Sequence, residues 1–159
     1  MSFCSASSFG SFLLAAILLL PAACTRRTVY HTYQHTLVSG WEKNDTLCFH
    51  VPPLAHTGLY NEELALRINT SYPFTAVTLV VHQRVIPGGE EHIDTVNCRF
   101  GNRDDTRLAR GISHFQYRFP ITHLRLQEGD SLVVDVRHDM KRDILPGISD
   151  VGLKISSEK

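Results

Sequence analysis

Beyond its N-terminal segment the chain alternates apolar and polar side chains in short runs, and this alternation restricts it to β-structure. In the clearest run, Val77, Leu79 and Val81 point to one side of an extended chain, while Thr78 and His82 point to the other. A period of two residues is typical of a strand that is buried on one face and wet on the other. Strands with one wet face belong to antiparallel sheets, because parallel sheets are covered on both faces.

Repeated runs of this kind predict an all-β domain. Pro52-Pro53 ends one run, because proline cannot donate a ladder hydrogen bond, and Gly88-Gly89 suits the reversal of a hairpin. We found no convincing amphipathic helix, so we expect a single antiparallel β-sandwich of about 7–8 strands, with jelly-roll or immunoglobulin-like strand order. The predicted strands are residues 29–33, 46–51, 64–69, 77–84, 93–100, 115–119, 132–137 and 151–155.

Residues 1–23 predict a secretory signal peptide. Residues 12–20 form an uncharged apolar run, small residues precede Cys24, and the first charged side chain is Arg26. A run of this length that ends in small residues before a cleavage point is typical of a removed export signal. It is also shorter than the about twenty apolar residues that a membrane-spanning helix needs.

Cys24 is the candidate lipid-attachment residue. Small residues directly before a cysteine resemble a bacterial lipobox, in which the thiol carries a diacylglycerol and the new amino group is acylated. The alternative is an uncleaved anchor in which Cys24 is an ordinary thiol, but Arg26-Arg27 would oppose export of the chain from such an anchor. With the lipobox, residues 24–28 form an acylated tether and residues 29–159 form the β-sandwich domain.

The charge balance restricts the partners of this domain. The chain carries 16 basic and 16 acidic residues and has a formal net charge of zero. A nucleic-acid binder needs a basic excess on one face, so we expect no nucleic-acid partner. A neutral domain also gains little from anionic lipid, so the acyl chains must attach it to the membrane, at about 0.8 kcal/mol for each buried methylene.

Cys48 and Cys98 are the cysteines that remain in the mature domain after the signal peptide and Cys24 are set aside. An oxidising periplasm favours a disulfide between such a pair. The periodicity argues against it, because Cys48 lies opposite the apolar side of its run while Cys98 alternates in step with Val96 and Phe100. Two free thiols are therefore the favoured state, with a disulfide as the alternative.

Catalytic and metal-binding motifs are missing from the sequence. The nine histidines show no spacing typical of a metal site, which needs three or four converging ligands for zinc. The hydrolase motifs G-x-S-x-G and H-E-x-x-H are absent. We predict a protein without enzymatic activity, metal or other cofactor.

Three short motifs, taken in order, resemble a known family. Gly40-Trp41 follows the lipobox, residues 69–74 (N-T-S-Y-P-F) precede the clearest strand, and residues 147–155 (G-I-S-D-V-G-L-K-I) close the domain. Over essentially the whole mature chain this pattern is similar to the GldH family of gliding-motility-associated lipoproteins from Bacteroidota. The resemblance implies a link to gliding over surfaces and, in some bacteria, to the use of insoluble polysaccharide. It implies no catalytic residues.

Together these observations predict a non-enzymatic lipoprotein of the outer membrane that binds envelope proteins, of the gliding or secretion machinery by the resemblance. Residues 25–27 contain no acidic run after Cys24, which favours the periplasmic face of that membrane. The alternative is a glycan-binding lipoprotein with an aromatic platform. The aromatic side chains available for a platform are Trp41, Tyr30, Tyr33, Tyr60 and Tyr72.

A short O-glycosylation pattern is known in exported proteins of Bacteroidota, and the segments Asp45-Thr46-Leu47, Asp94-Thr95-Val96 and Asp130-Ser131-Leu132 resemble it. The candidate residues in these segments are Thr46, Thr95 and Ser131. All three lie at or inside predicted strands, where an Asp followed by a β-forming residue is unremarkable. The sequence therefore marks them as candidate modification sites only.

Overall fold

A computed structural model of the chain describes residues 27–101 and 114–158, and every regular element within these ranges is a β-strand. The strands are β1 (Arg27–His35), β2 (Trp41–Glu42), β3 (Leu47–Val51), β4 (Gly58–Asn69), β5 (Ala76–Ile86), β6 (Glu91–Arg99), β7 (His114–Leu126), β8 (Ser131–His138), β9 (Ile144–Leu145) and β10 (Ile148–Glu158). The described residues include no helix that could cross a bilayer.

The strand order is that of a jelly roll. The first sheet has the order β1-β10-β4-β7, the second has β3-β8-β5-β6, and every pairing is antiparallel. Two interleaved four-stranded sheets of this kind are the double Greek key of jelly-roll domains. The predicted all-β antiparallel sandwich is confirmed, and of the two predicted strand orders the structure has the jelly roll.

The core lies between the two sheets and is built from alternate residues of each strand. Val77, Leu79 and Val81 of β5 are at most 1% exposed, and they face Leu64 and Leu66 of β4 across the interior. Thr78, Val80 and His82, which alternate with them on β5, are half-buried on the outer face. The alternation in the sequence therefore identifies the core face of the second sheet correctly.

β4 and β7 are among the strands that run further than the alternation indicates. β4 begins at Gly58 rather than near Leu64. The alternation did not reveal its first half, because polar residues there are buried. β7 continues through Pro120, which pairs with Glu63 where the register shifts. Proline is tolerated there because β7 is an edge strand and a bulge needs fewer ladder hydrogen bonds.

Trp41 lies in the short strand β2, within a segment that the sequence predicted as a connection. β2 pairs with β9, whose Leu145 lies opposite Trp41. The indole is completely buried and its Nε1 donates a hydrogen bond to the Asp45 carbonyl at 2.9 Å. A two-residue ribbon has no measurable periodicity, so alternation could not reveal it.

Candidate functional site

The jelly roll has two ends, and Arg27, the first described residue, lies at one of them. Arg27, the first residue of β1, pairs with Ser157, which in turn pairs with Tyr60 near the start of β4. We call this the tether end, and it comprises residues 27–29, the 52–57 loop, the turns at residues 87–90 and 127–130, and Glu158. Cys24 and residues 25–26 of the predicted tether lie outside the described residues.

We call the opposite end of the sandwich the distal end, and it is far from Arg27. β4 contains 12 residues, so its first and last residues are roughly 36 Å apart at about 3.3 Å per residue. The distal end comprises the loops at residues 36–40, 70–75 and 139–143 together with the β2–β9 ribbon. The segment that joins β6 to β7 leaves β6 at this end, and residues 102–113 of it lie outside the described residues.

A cavity of about 510 Å³ opens at the tether end. Its apolar lining includes Val29, Val51, Pro53, Leu54 and Tyr60. The loop that forms one wall is held to the β7–β8 turn, because Leu54 N–H donates to the Asp130 carbonyl and Gly129 N–H donates to the Leu54 carbonyl, both at 2.8 Å. The loop is therefore fixed against the sandwich although most of its residues are exposed.

Aromatic rings fill the distal end beneath the 70–75 loop. Phe100 is the centre of the group, with ring centroids 5.4 Å from Tyr72 and 4.8 Å from Tyr117. The Tyr72 hydroxyl donates to the Ala76 carbonyl at 2.9 Å, and burial raises the pKa of this phenol. A cavity of about 270 Å³ lies beside these rings. Edge-to-face contacts between aromatic rings stabilise packing, and here they support the 70–75 loop from below.

An exposed apolar loop tip, formed by Leu37, Val38 and Ile144, lies at the distal end. It was not predicted from the sequence. Leu37 is 58% exposed, Val38 is fully exposed, and Ile144 of β9 is 45% exposed beside them. Gly40 connects the two segments, because its N–H donates to the Leu37 carbonyl at 2.9 Å and a Cβ at Gly40 would collide with Ile144. The apolar pair Leu37-Val38 within a predicted connection was the only sequence signal for it.

The aromatic side chains proposed as a sugar platform do not form one. Trp41, Tyr60 and Tyr72 are buried, with at most 7% exposure. Tyr33 lies over Gly152, and the Arg67 guanidinium carbon is 3.9 Å from its ring centroid. The fifth, Tyr30, packs against the core. These five rings are therefore used in packing, which leaves the glycan-binding alternative without the feature on which it was based.

Cys48 and Cys98 are free thiols in the structure. They lie on β3 and β6, with β8 and β5 between them, and strands about 4.8 Å apart place them far beyond disulfide reach. A hydrogen bond to Asp135 and partial burial raise the pKa of Cys48 to about 11, and burial raises that of Cys98 to about 12. Thiols with such pKa values are poor nucleophiles at neutral pH.

A metal-binding group does not occur among the residues that the structure describes. No three His, Cys, Asp or Glu side chains within those ranges converge as metal ligands would. The most unusual ionisable group is Glu62, which is completely buried between the sheets and accepts a hydrogen bond from Gln83 Nε2 at 2.5 Å. It lies in the interior and is enclosed by core residues, so it offers no access to a substrate.

Comparison with known proteins identifies the family. The family model for the GldH lipoprotein matches residues 28–155, which is most of the chain. The chain belongs to the GldH lipoprotein family. A curated relative, the gliding motility lipoprotein GldH of Flavobacterium johnsoniae, is 28% identical over 156 residues, covering 94% of this chain and 96% of the relative. The resemblance inferred from the sequence motifs is confirmed, and as a GldH lipoprotein the chain is a component of the cell envelope.

The motifs that indicated the GldH family meet in the structure. The loop at residues 70–75, which contains Tyr72, packs directly against Gly147 at the start of the closing motif. Asn69 N–H donates to the Gly147 carbonyl at 2.8 Å, and the Tyr72 N–H donates to the Asn69 carbonyl at 3.2 Å. The two segments therefore form one structural unit at the distal end, although about 75 residues separate them in the sequence.

Solved structures show only distant likeness. A family GH115 4-O-methyl-α-glucuronidase matches 87% of this chain with 12% identity and a TM-score of 0.48, and this chain spans 19% of that protein. A CocE/NonD family hydrolase from Staphylococcus aureus matches 84% of the chain with 12% identity and a TM-score of 0.47, over 34% of its own length. A family 35 carbohydrate-binding module from Clostridium thermocellum has a TM-score of 0.35, with 17% identity over 81% of this chain and 90% of the module. These similarities carry no functional argument.

The candidate O-glycosylation sites differ in access. Thr46 is exposed just before β3, and Thr95 is exposed on the outer face of β6. Ser131 is half-buried, and its hydroxyl donates to the Ile86 carbonyl at 3.4 Å. Access favours the two threonines, and modification of all three sites stays a prediction.

Proposed function

We propose that this GldH-family chain is a non-enzymatic lipoprotein that is acylated at Cys24, anchored in the outer membrane, and active by binding other envelope proteins through its distal end. The observation that carries the proposal is the exposed apolar loop tip of Leu37, Val38 and Ile144. Its relative in Flavobacterium johnsoniae is a gliding motility lipoprotein, which supports a role among the envelope proteins of the gliding or secretion machinery.

The loop tip is held in place before any partner binds. Thr36 N–H donates to the Ser149 carbonyl at 3.1 Å, and the Thr36 hydroxyl donates to the Ile148 carbonyl at 2.5 Å. Together with the Gly40 turn, these bonds fix both ends of the Leu37-Val38 pair. A preorganised apolar protrusion loses little conformational entropy on binding, which favours an interaction surface over a loose loop. Burying each of these side chains in a partner contributes about 1.5–3 kcal/mol.

Distance separates this surface from the membrane. Three peptide bonds separate Cys24 from Arg27, and an extended chain spans at most about 11 Å over that length. The loop tip is at the other end of strands that are roughly 36 Å long. When the strands stand upright on the membrane, a lipid anchor at Cys24 leaves the tip facing away from that membrane, where a protein partner with an apolar groove is the matching occupant.

A pair of substitutions tests the proposal. Val38→Asp places a charge on the fully exposed tip without touching the core, and Thr32→Asp places the same charge on exposed β1 as the matched control. We expect the complex purified with the wild-type chain in mild detergent from a native host to be lost with Val38→Asp and retained with Thr32→Asp. A complex that survives Val38→Asp and Leu37→Asp unchanged would remove the distal tip as the binding surface.

The periplasmic face is the proposed side of the outer membrane. Its support is the sequence Thr25-Arg26-Arg27 after Cys24, which carries no acidic run. Protease treatment of intact cells tests it, with a known surface-exposed lipoprotein as the control. We expect the chain to survive in intact cells and to be digested after the outer membrane is permeabilised. Digestion in intact cells would place it on the cell surface instead.

A further inference from the structure

We infer that the tether end is itself a membrane-contacting surface, with the 52–57 loop lying against the lipid headgroups and the strands standing upright on the bilayer. This inference rests on the proposed acylation of Cys24. The first step is the reach of the tether, since about 11 Å of extended chain between Cys24 and Arg27 cannot hold the domain away from the membrane. The surface near Arg27 is therefore the part of the domain that lies closest to the lipid.

Two parts of the surface lie within that reach, and their composition distinguishes them. The tether end exposes Pro52, Pro53 and Ala55, and nearby Val29 is 39% and Ile86 is 49% exposed. The side of the domain formed by edge strand β1 instead exposes the polar residues His31, Thr32 and His35. Apolar side chains enter the boundary between headgroups and acyl chains favourably, whereas the polar edge gains nothing there. The end-on orientation is the one that buries apolar surface.

The tether end is also shaped for such a contact. Pro52 and Pro53 carry no N–H groups, so this part of the loop leaves fewer backbone donors to be desolvated at the interface. The loop is fixed by its hydrogen bonds to the β7–β8 turn, and the cavity of about 510 Å³ behind it opens towards the tether. Its lining is mixed, with apolar Val29, Leu54 and Tyr60 beside polar Arg27, His56 and Glu158, as suits the boundary between lipid headgroups and acyl chains.

Charge does not drive the contact. Arg27 and Arg125 lie near the tether end together with the acidic residues Glu90, Glu128, Asp130 and Glu158, so this end carries no basic excess. Attraction to anionic lipid, which ionic strength would screen, is therefore small. We expect the contact to form equally on zwitterionic vesicles and to be insensitive to salt, as an apolar contact is.

The test uses the full acylated chain in vesicles of dibrominated phosphatidylcholine, because bromine quenches tryptophan emission only at short range. The single native tryptophan, Trp41, lies at the distal end and reports that end without any substitution. Ala55→Trp places a reporter in the exposed loop, and Thr32→Trp places one on the β1 edge. We expect Ala55→Trp to lose roughly half of its added emission relative to unbrominated vesicles, as an interfacial position should, while Trp41 and Thr32→Trp are unchanged.

The outcomes separate the inference from the proposed function. If the wild-type chain floats with the vesicles and the Cys24→Ala variant does not, the lipid anchor at Cys24 is present. If the chain floats and Ala55→Trp is not quenched, the membrane-contacting surface is wrong although the anchor stands. If Thr32→Trp is quenched instead, the domain lies on its β1 edge and the inference is again wrong. A chain that does not float removes the anchor and this inference together.

Discussion

Gly147 lies directly against the backbone of Tyr72, so that a Cβ at Gly147 would come within 2.7 Å of the Tyr72 Cα. Real Cβ atoms do not approach backbone so closely, and Gly147 also has a φ of +83°, which disfavours any side chain. This contact joins the 70–75 loop to the start of β10. It explains why a glycine opens the closing motif of this chain.

Gly147→Ala should therefore destabilise the protein strongly. The substitution combines the cost of a left-handed conformation, about 1 kcal/mol, with overpacking against immobile backbone, which costs about 1–3 kcal/mol more. Chemical denaturation measured by circular dichroism checks it. Gly89→Ala is the matched control, because Gly89 has a φ of +71° and no atom within 4 Å of the added Cβ. Equal losses of unfolding free energy in the two variants would contradict the close contact.

Glu62 should make stability fall as the pH rises. Burial, and then the charge of Asp94, raise its pKa from 4.5 to about 7. Because the folded state binds this proton more tightly than the unfolded chain does, its contribution is complete below about pH 4.5 and lost as the pH passes 7. The expected change is about 3 kcal/mol in the free energy of unfolding. Glu62 Oε1 and Gln83 Oε1 have no hydrogen-bond partner among the described residues.

Denaturation curves of Glu62→Gln across this pH range measure that contribution. The variant removes the titrating group while keeping its shape, so its stability should exceed that of the wild type most above pH 7. Glu63→Gln is the control, since Glu63 points to the outer face and bonds with Lys154 Nζ at 3.0 Å. Parallel pH curves for the wild type and Glu62→Gln would show that the buried carboxyl does not titrate in this range.

The thiol of Cys48 should become reactive when Asp135 is neutralised. The hydrogen bond to the Asp135 carboxylate is the main cause that raises the Cys48 pKa to about 11. In Asp135→Asn the pKa falls, the thiolate fraction at pH 8 rises, and alkylation by iodoacetamide should accelerate by roughly tenfold or more. Mass spectrometry follows the reaction, with buried Cys98 as an internal control that stays unmodified. An unchanged rate at Cys48 would contradict the assigned interaction.

Alternation predicted the strands of the second sheet best, because each of them has one wet face. It failed at the start of β4, where Asn61 and Glu62 are polar but buried. The sequence does not show that Gln83, on the facing sheet, donates a hydrogen bond to Glu62. Strand order was open because it depends on the pairing of β1 with β10, at opposite ends of the chain. The loop tip was missed because apolar residues in a connection are usually covered, and Val38 is not.

The most direct test of this account is crosslinking in living cells of a native host, with a photoreactive amino acid at position 38. The matched position is 32, on the exposed polar edge of β1. We predict that position 38 yields a discrete adduct with an envelope protein and that position 32 yields none of the same mass. A chain that is correctly acylated and folded but gives no adduct at position 38, or the same adduct at both positions, would contradict binding through the distal end.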